Sequence, residues 1–219
     1  MESVNPPRVL SFDLQDDSSI PNSKLPLLIY QGAVKPAPRD PASVFEELFA
    51  TNHWTGSWRD GVYTYHHYHS TTHEVLGVYA GSATVKFGGD KGIKQKLTAG
   101  DIIIIPAGVA HKNLGASSDF GVVGAYPNGM EWDMNYGQKK ERPQADENIA
   151  HVPLPDLDPV YGSEGPLLQQ WAKQRSLQPA EFSDGPRPFP ERGTSRPAAR
   201  KQSSREFLLP KPRRATLQR

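Results

Sequence analysis

The feature that most constrains the fold is a succession of short apolar segments separated by glycines in the middle of the chain. Six segments of five to eight residues follow one another, at 62–69, 75–79, 82–87, 93–97, 101–106 and 120–126. Glycines stand at the turn positions between them. Short strands at this spacing are typical of a β-sandwich or a small barrel. The sequence therefore predicts an all-β domain.

One helix is predicted ahead of these strands. Asp40 can cap its N-terminus, Pro41 suits the first helical position, and the helix is expected to end near Thr51. Its apolar face consists of Val44, Phe45, Leu48 and Phe49. Short extended segments precede the helix at residues 8–14 and 25–31, and a loop over residues 54–58 is expected to follow it.

Composition divides the chain into parts. Hydrophobic residues make up 36% of the 219 residues and prolines number 21, so part of the chain is not expected to pack into a core. Residues 172–219 carry twelve Lys and Arg against four Asp and Glu, whereas the rest carries 13 against 20. We predict N-terminal strands and a helix that pack on a barrel (1–60), the barrel core (61–127), an extended arm over the barrel (128–171) and a basic, disordered tail (172–219).

The composition also excludes several kinds of site. The chain contains no cysteine, which rules out disulfides, thiolate metal sites and cysteine nucleophiles. No apolar run approaches the length that spans a bilayer, so we expect a soluble, cytoplasmic protein with no membrane partner. The cations of the tail are scattered among prolines and serines without a stacking platform, so we expect no nucleic-acid partner. Its short clusters R-P-A-A-R-K and K-P-R-R offer nuclear entry as a weaker alternative.

Four of the seven histidines fall within residues 63–74. Alternate residues of a strand share a face, so His67 and His69 point the same way and His66 points the other way. Two imidazoles at this spacing can reach one cation, each at about 2.0–2.1 Å from it. Glu74 follows after a small polar turn that can bring its carboxylate back toward them. The cluster therefore predicts a metal site.

A further ligand is expected from His111, which follows a predicted strand and a short turn. The predicted metal ligands are His67, His69, Glu74 and His111. Three neutral imidazoles and a carboxylate suit one divalent transition metal ion, with Fe(II) or Mn(II) favoured and Ni(II), Co(II) or Zn(II) as alternatives. His73 competes with the glutamate: it can replace Glu74 as a ligand or support the ligands from behind.

Two tyrosines and an asparagine are candidates for the surroundings of the metal. Tyr63 and Tyr65 share the strand face of the two histidine ligands, so they either line a pocket or fill the wide end of a barrel. Asn113 shares the face of the third histidine ligand and is expected to orient a bound ligand or a water. The candidate catalytic groups are Glu74, Tyr65 and His73, with Tyr63 and Glu131 as further proton-transfer candidates.

These spacings resemble the first motif of the cupin superfamily, G-x5-H-x-H-x(3,4)-E-x6-G. The motif is met without a gap by Gly61, His67, His69, Glu74 and Gly81. Matches at five positions in the right order indicate more than an accidental group of polar residues. The resemblance implies the same four metal ligands that the residues themselves predict.

The second cupin motif, G-x5-P-x-G-x2-H-x3-N, is met by Gly100, Pro106, Gly108 and His111. Its asparagine departs from the pattern, because Asn113 stands two residues after the histidine instead of four. Segments such as H-H-Y-H-S-T-T-H-E-V-L-G-V-Y and I-I-I-P-A-G-V-A-H-K-N-L resemble the YjlB-like single-domain cupins from about Arg8 to Trp171. The resemblance implies a double-stranded β-helix (jelly-roll) barrel with one short N-terminal helix and one mononuclear metal site, and no particular reaction.

Three hypotheses on function follow. The first is a metal-dependent enzyme with dioxygenase-type or isomerase-type chemistry on a small polar metabolite. The alternative is a non-catalytic module that binds or senses a small ligand. A purely structural role, as in seed-storage relatives, is disfavoured because those usually lack an intact ligand set. Strand edges that are expected to be exposed also favour a homodimer.

Overall fold

Nine strands and three α-helices make up the part of the chain that is described here. The computed structural model describes residues 4–6 and 8–176, so the predicted disordered tail lies almost wholly outside the described residues. The strands are β1 (Val9–Phe12), β2 (Leu27–Tyr30), β3 (Trp54–Asp60), β4 (Glu74–Ala80), β5 (Ser82–Phe87), β6 (Ile93–Thr98), β7 (Ile102–Ile105), β8 (His111–Ala116) and β9 (Gly121–Pro127). The helices are α1 (Ser43–Thr51), α2 (Gln144–His151) and α3 (Pro166–Ser176), with a short 3-10 helix at Lys139–Glu141.

The strands form two antiparallel sheets. The larger sheet has six strands in the order β1-β2-β7-β4-β9-β3, and the smaller sheet has three in the order β6-β5-β8. Neighbours in the sheets are often distant in sequence, as when β4 pairs with both β7 and β9. This topology confirms the predicted jelly-roll barrel.

Strand alternation sends side chains to two separate cores. Leu76 of β4 and Ile103 of β7 face the interior between the sheets, where they pack with Val85 and Phe87 of β5. Their sequence neighbours, such as Ile104, face the other side of the large sheet. A strand that is buried on both faces is expected to be continuously apolar, which explains the unbroken I-I-I-I of β7.

The second core covers the outer face of the large sheet. Phe45 and Phe49 of α1 pack there with Trp171 of α3 and with Val75 of β4. Residues beyond the barrel therefore contribute to this core, because Trp171 is only 1% exposed. Helices on one face of an antiparallel sheet are a common way to bury its apolar side chains.

Two predicted segments differ from the structure. Residues 62–69 do not form a regular strand, because His67 pairs with His111 and Tyr68 pairs with Asn135 as isolated bridges to different partners. The expected loop at 54–58 is instead part of β3, which pairs with β9. Strand β8 was not predicted, since its sequence H-K-N-L-G-A is largely polar and its exposed half faces away from the core.

The helices also differ from the prediction in detail. The N-cap of α1 is Ala42, and no side chain caps the helix. Asp40 instead accepts a hydrogen bond from Ser43 through its carbonyl and binds Arg59 through its carboxylate. Helices α2 and α3 were not predicted, because they lie in a polar, proline-bearing region. Across the described helices, none is both long and apolar enough to cross a membrane.

Candidate metal centre

The four predicted metal ligands lie together at one end of the barrel interior. Glu74 is the first residue of β4 and His111 the first of β8. The backbone of His67 exchanges hydrogen bonds with that of His111, at 3.0 and 3.3 Å, and His69 follows two residues later. All four side chains are buried, with 2–6% of their surface exposed. The fold therefore brings together residues that are up to 44 positions apart in sequence.

One oxygen of Glu74 lies at the centre of the cluster. Its Oε2 atom is 3.6 Å from Nε2 of His69 and 3.5 Å from Nε2 of His111. The imidazole of His67 packs on that of His111, with ring centroids 4.0 Å apart. Among the described residues, none forms a hydrogen bond with Glu74 Oε2, although the oxygen is buried. A buried carboxylate oxygen without a partner is costly.

Two of the three histidines are held in the neutral form that a metal ligand requires. Burial lowers the pKa of His67. Burial, together with the neighbouring His67, holds the pKa of His111 well below its ordinary value. For His69, burial disfavours the charge, but the Glu74 carboxylate and the contacts with Asp133 together outweigh burial and raise the pKa. His67 and His111 are therefore neutral at pH 7, and the 3.5 Å contact of His111 with Glu74 is not an ion pair.

Asp133 orients one of the histidines, although the sequence pattern did not point to it. Nδ1 of His69 lies 2.5 Å from the carbonyl oxygen of Asp133, so Nδ1 donates and Nε2 is left to face Glu74. The Asp133 carboxylate accepts hydrogen bonds from Ser70 and from the side chain of Asn135. Burial raises the pKa of this carboxyl, but these hydrogen bonds outweigh it and lower the pKa overall.

His73 lies apart from the cluster. Strand alternation sends it to the face opposite Glu74, where its ring centroid is 4.6 Å from that of Trp171. Its Nδ1 accepts a hydrogen bond from the backbone of Ala107, and burial lowers its pKa to about 3. The structure thus places a neutral His73 in the helix-covered core, out of reach of the metal ligands.

A cavity of about 220 Å³ opens above the cluster. Besides the four ligands its walls include Trp58, Tyr63, Leu76, Tyr126, Trp132 and Met134. Tyr65 stacks on Tyr63 at 4.9 Å but is not part of the cavity wall. Asn113 likewise turns away, and its side-chain oxygen accepts a hydrogen bond from the backbone of Gly115. Of the predicted pocket residues, Tyr63 alone lines the cavity.

Tyr126 is a wall residue that sequence reasoning missed. Its hydroxyl accepts a hydrogen bond of 2.9 Å from Trp58. Burial, followed by the charge of Glu74, raises its pKa, so the phenol stays protonated beside the carboxylate. Alternate residues of β9 share a face, so Gly124 lies on the same face as Tyr126. A glycine in a strand is a sequence sign of a close approach on that face. A Cβ atom at Gly124 would lie 2.2 Å from the Trp58 indole, so this close approach requires glycine.

The donor set, three imidazoles and a carboxylate, is of a kind that binds divalent metal ions. Two atoms at about 2.1 Å from one ion lie about 3.0–3.4 Å apart at right-angled to tetrahedral geometry. The two distances to Glu74 come close to this, at 3.5 and 3.6 Å. Throughout the described residues, however, no three His, Asp or Glu side chains are arranged to hold an ion as they stand.

Comparison with known proteins agrees with this fold. The Cupin domain family matches residues 59–119, the segment that contains all four predicted ligands. The uncharacterized protein YjlB of Bacillus subtilis (strain 168) is 43% identical over 159 residues, which are 72% of this chain and 93% of YjlB. The chain therefore belongs to the YjlB-like cupins.

Similarity to solved structures is more distant. Acireductone dioxygenase from Bacillus anthracis, with a cadmium ion in its active centre, is 18% identical with a TM-score of 0.32, over 43% of this chain and 63% of that chain. The epimerase RmlC from Legionella pneumophila Philadelphia 1 is 15% identical with a TM-score of 0.32, over 58% and 85%. Procruciferin from Brassica napus is 18% identical with a TM-score of 0.31, over 52% of this chain but 23% of its own length. None of the three informs the reaction of this chain.

Proposed function

We propose that this cupin binds one divalent transition metal ion through His67, His69, Glu74 and His111 and acts as a metal-dependent enzyme on a small metabolite. The observation that carries the proposal is the buried Oε2 atom of Glu74, which has no hydrogen-bond partner among the described residues and faces two imidazole nitrogens. A cation at this point would satisfy the carboxylate and both nitrogens together. Nitrogen and oxygen donors of this kind favour Fe(II) or Mn(II), with Ni(II) or Zn(II) as alternatives.

The side chains around the cluster have distinct roles in this proposal. When bound, the ion supplies a Lewis acid and a template for the substrate. Glu74 holds the ion and can accept a proton. Tyr126 stays protonated and keeps its hydroxyl beside that carboxylate. Trp58 and Trp132 contribute apolar surface to the cavity wall. We favour dioxygenase-type chemistry, with isomerase-type chemistry second.

Oxygen consumption tests the enzymatic part of the proposal. The protein would be loaded with Fe(II) without air and then mixed with O₂ and pools of small organic acids and enolic compounds. We expect O₂ uptake with at least one pool and its loss in His111→Ala. His66→Ala is the matched control, because Nε2 of His66 faces Asp90 at 3.5 Å and not the cluster. No O₂ uptake by the native protein with any pool would contradict dioxygenase-type chemistry.

A non-catalytic module that binds a small ligand is the second candidate function. The observation in its favour is the small number of proton-transfer groups in the cavity wall. His73 lies in the other core, so Tyr63, Tyr126 and the exposed Asp60 are the groups that remain beside Glu74 and the histidines among the described wall residues. This candidate predicts saturable binding of a metabolite that is recovered unchanged after long incubation.

A further inference from the structure

Exposed aromatic side chains concentrate at the mouth of the cavity. Tyr63, Tyr65, Trp132 and Tyr136 are each 44–49% exposed. Among the described residues, one other large hydrophobic side chain, Leu114, is as open to solvent. Exposed apolar surface that is gathered in one place, and not scattered, marks a binding site.

Tyr63 and Trp132 line the cavity, and other aromatic rings pack against each of them. On one side Tyr63 and Tyr65 stack nearly parallel, at 13°, and Tyr63 contacts the ring of His67 at 5.1 Å. On the other side Trp132 lies 5.4 Å from the ring of His69 and 6.4 Å from that of Tyr126, at 29°. Flat faces of this kind pack best against another planar ring.

The charge of the cavity limits what else can bind. Among the described wall residues the one fixed cation is Arg59, which already donates to Glu46 at 2.6 and 2.7 Å and to Asp40 at 3.1 Å. A phosphate or a second carboxylate on the ligand would therefore meet Trp132 and Trp58 without a counter-charge, which is unfavourable. A divalent ion and the Glu74 carboxylate leave one positive charge, and the exposed Asp60 carboxylate of the wall adds a negative charge, so a ligand with no more than one negative charge is favoured.

The size of the cavity sets an upper limit. Its volume of about 220 Å³ lies below the range of about 300–1,000 Å³ that is usual for drug-sized ligands. One ring with short substituents fits such a space.

We propose that the cavity binds a small planar ring compound that presents two adjacent oxygens to the metal and carries no phosphate or further carboxylate, with Trp132 and Tyr63 as the specificity-determining side chains. This inference rests on the proposed metal site, since the adjacent oxygens need the ion. The exposed rings are then the part of the site that ligand binding would cover.

The probe 4-nitrocatechol tests the inference, because its visible absorption changes when its two oxygens bind a metal. The metal content of each preparation would be measured first, and the probe would then be titrated into the metal-loaded protein. We expect the probe to bind saturably. Oxalate and inorganic phosphate, added as competitors, are expected to bind at least tenfold more weakly than the probe. Trp132→Ala is expected to weaken binding of the probe about tenfold with unchanged metal content. Leu114→Ala is the control and is expected to bind like the native protein.

The outcomes separate this inference from the metal proposal. Oxalate or phosphate binding at least as tight as that of the probe would overturn the inference while leaving the metal site intact. The inference would also be overturned if Trp132→Ala bound the probe with native affinity, or if this change altered only the oligomeric state. If the protein takes up no metal, the metal proposal fails. In that case, quenching of tryptophan fluorescence by 4-nitrophenol tests whether the cavity still prefers a planar ring. Quenching that Trp132→Ala abolishes supports the preference, and its absence in the native protein overturns it.

Discussion

Asp133 acts on the candidate metal centre through both its main chain and its side chain. Its carbonyl oxygen accepts from Nδ1 of His69, and its carboxylate holds the Ser70 backbone at 2.6 Å. Groups that orient a metal ligand in this way affect affinity nearly as much as the ligands do. Asp133 is therefore a positioning residue for His69.

The change Asp133→Ala tests that role. We expect the affinity for Mn(II) to fall about 10- to 100-fold, because the Asp133 main-chain carbonyl that accepts from His69 is no longer held in place by the hydrogen bonds of the carboxylate with Ser70 and Asn135. The measurement is a calorimetric titration of the metal-free protein. Asp13→Ala is the matched control, since Asp13 is exposed. Equal affinities of the native protein and Asp133→Ala would show that the carboxylate does not position the histidine.

The choice between Glu74 and His73 shows what sequence alone can give at the scale of a residue. Spacing leaves both as candidates, because a short polar turn precedes them. The first residue of β4 decides between them: Glu74 shares a face with Leu76 inside the barrel, and His73 faces Trp171. Choosing between the two residues requires the position at which β4 begins. Polar residues at the end of a strand do not reveal that position in the sequence.

At the scale of elements, α1 packs closely on the large sheet over Gly77. A Cβ atom on Gly77 would lie 2.3 Å from the ring of Phe45 and 3.0 Å from that of Phe49. Gly77→Ala is therefore expected to lower the free energy of unfolding by about 1–3 kcal/mol, because overpacking displaces the helix. Urea unfolding measures the effect. Gly61→Ala, where a Cβ atom meets nothing within 4 Å, is the control, and equal losses in both variants would contradict the packing argument.

The segment around Asp158 is sensitive to alkaline pH. Burial, followed by the charge of Asp158, raises the pKa of Tyr161 to about 12, and the same causes raise that of Tyr30, whose hydroxyl donates to Asp158. Tyrosine in an unfolded chain ionises near pH 10. The folded state therefore holds its protons more tightly, so this contribution to stability is complete below pH 10 and declines as the pH rises toward 12.

Urea midpoints between pH 8 and pH 12 test this prediction. The native protein is expected to lose stability above pH 10 more steeply than Tyr161→Phe, which has no phenol to ionise at this position. Tyr63→Phe is the matched control because Tyr63 is 47% exposed. Parallel pH profiles of the native protein and Tyr161→Phe would contradict the account.

At the scale of the whole molecule, bound metal is expected to stabilise the fold. The ligands come from β4, β8 and the segment between β3 and β4, so an ion joins parts of the chain that are far apart in sequence. Metal at 100 times its dissociation constant adds about 2.7 kcal/mol to the free energy of unfolding, which raises Tm by about 5–10 °C for a domain of this size. Calorimetry with and without a chelator measures the shift, and an unchanged Tm with Mn(II) would contradict it.

Much of the whole-molecule architecture follows from the sequence, and the reasons for the rest are physical. Glycine-punctuated apolar segments predicted β5, β6, β7 and β9 closely, because strands that pack on a core carry regular apolar patterns. The segment 62–69 has the residue composition of a strand, but its backbone bonds to two partners, which only tertiary structure determines. Tyr126 and Asp133 reach the site through pairing between distant segments. The alternation of β9 shows which residues share the face of Tyr126, but not that this face meets the predicted metal ligands.

Elemental analysis of the protein purified without an affinity tag tests the central claim most directly. The comparison is with the double variant His67→Ala, His69→Ala. We predict about one transition metal atom per chain in the native protein, with most of it lost in the variant. Absence of metal from the native protein even after reconstitution, or equal metal in both proteins, would contradict the claim that this cluster is a metal centre.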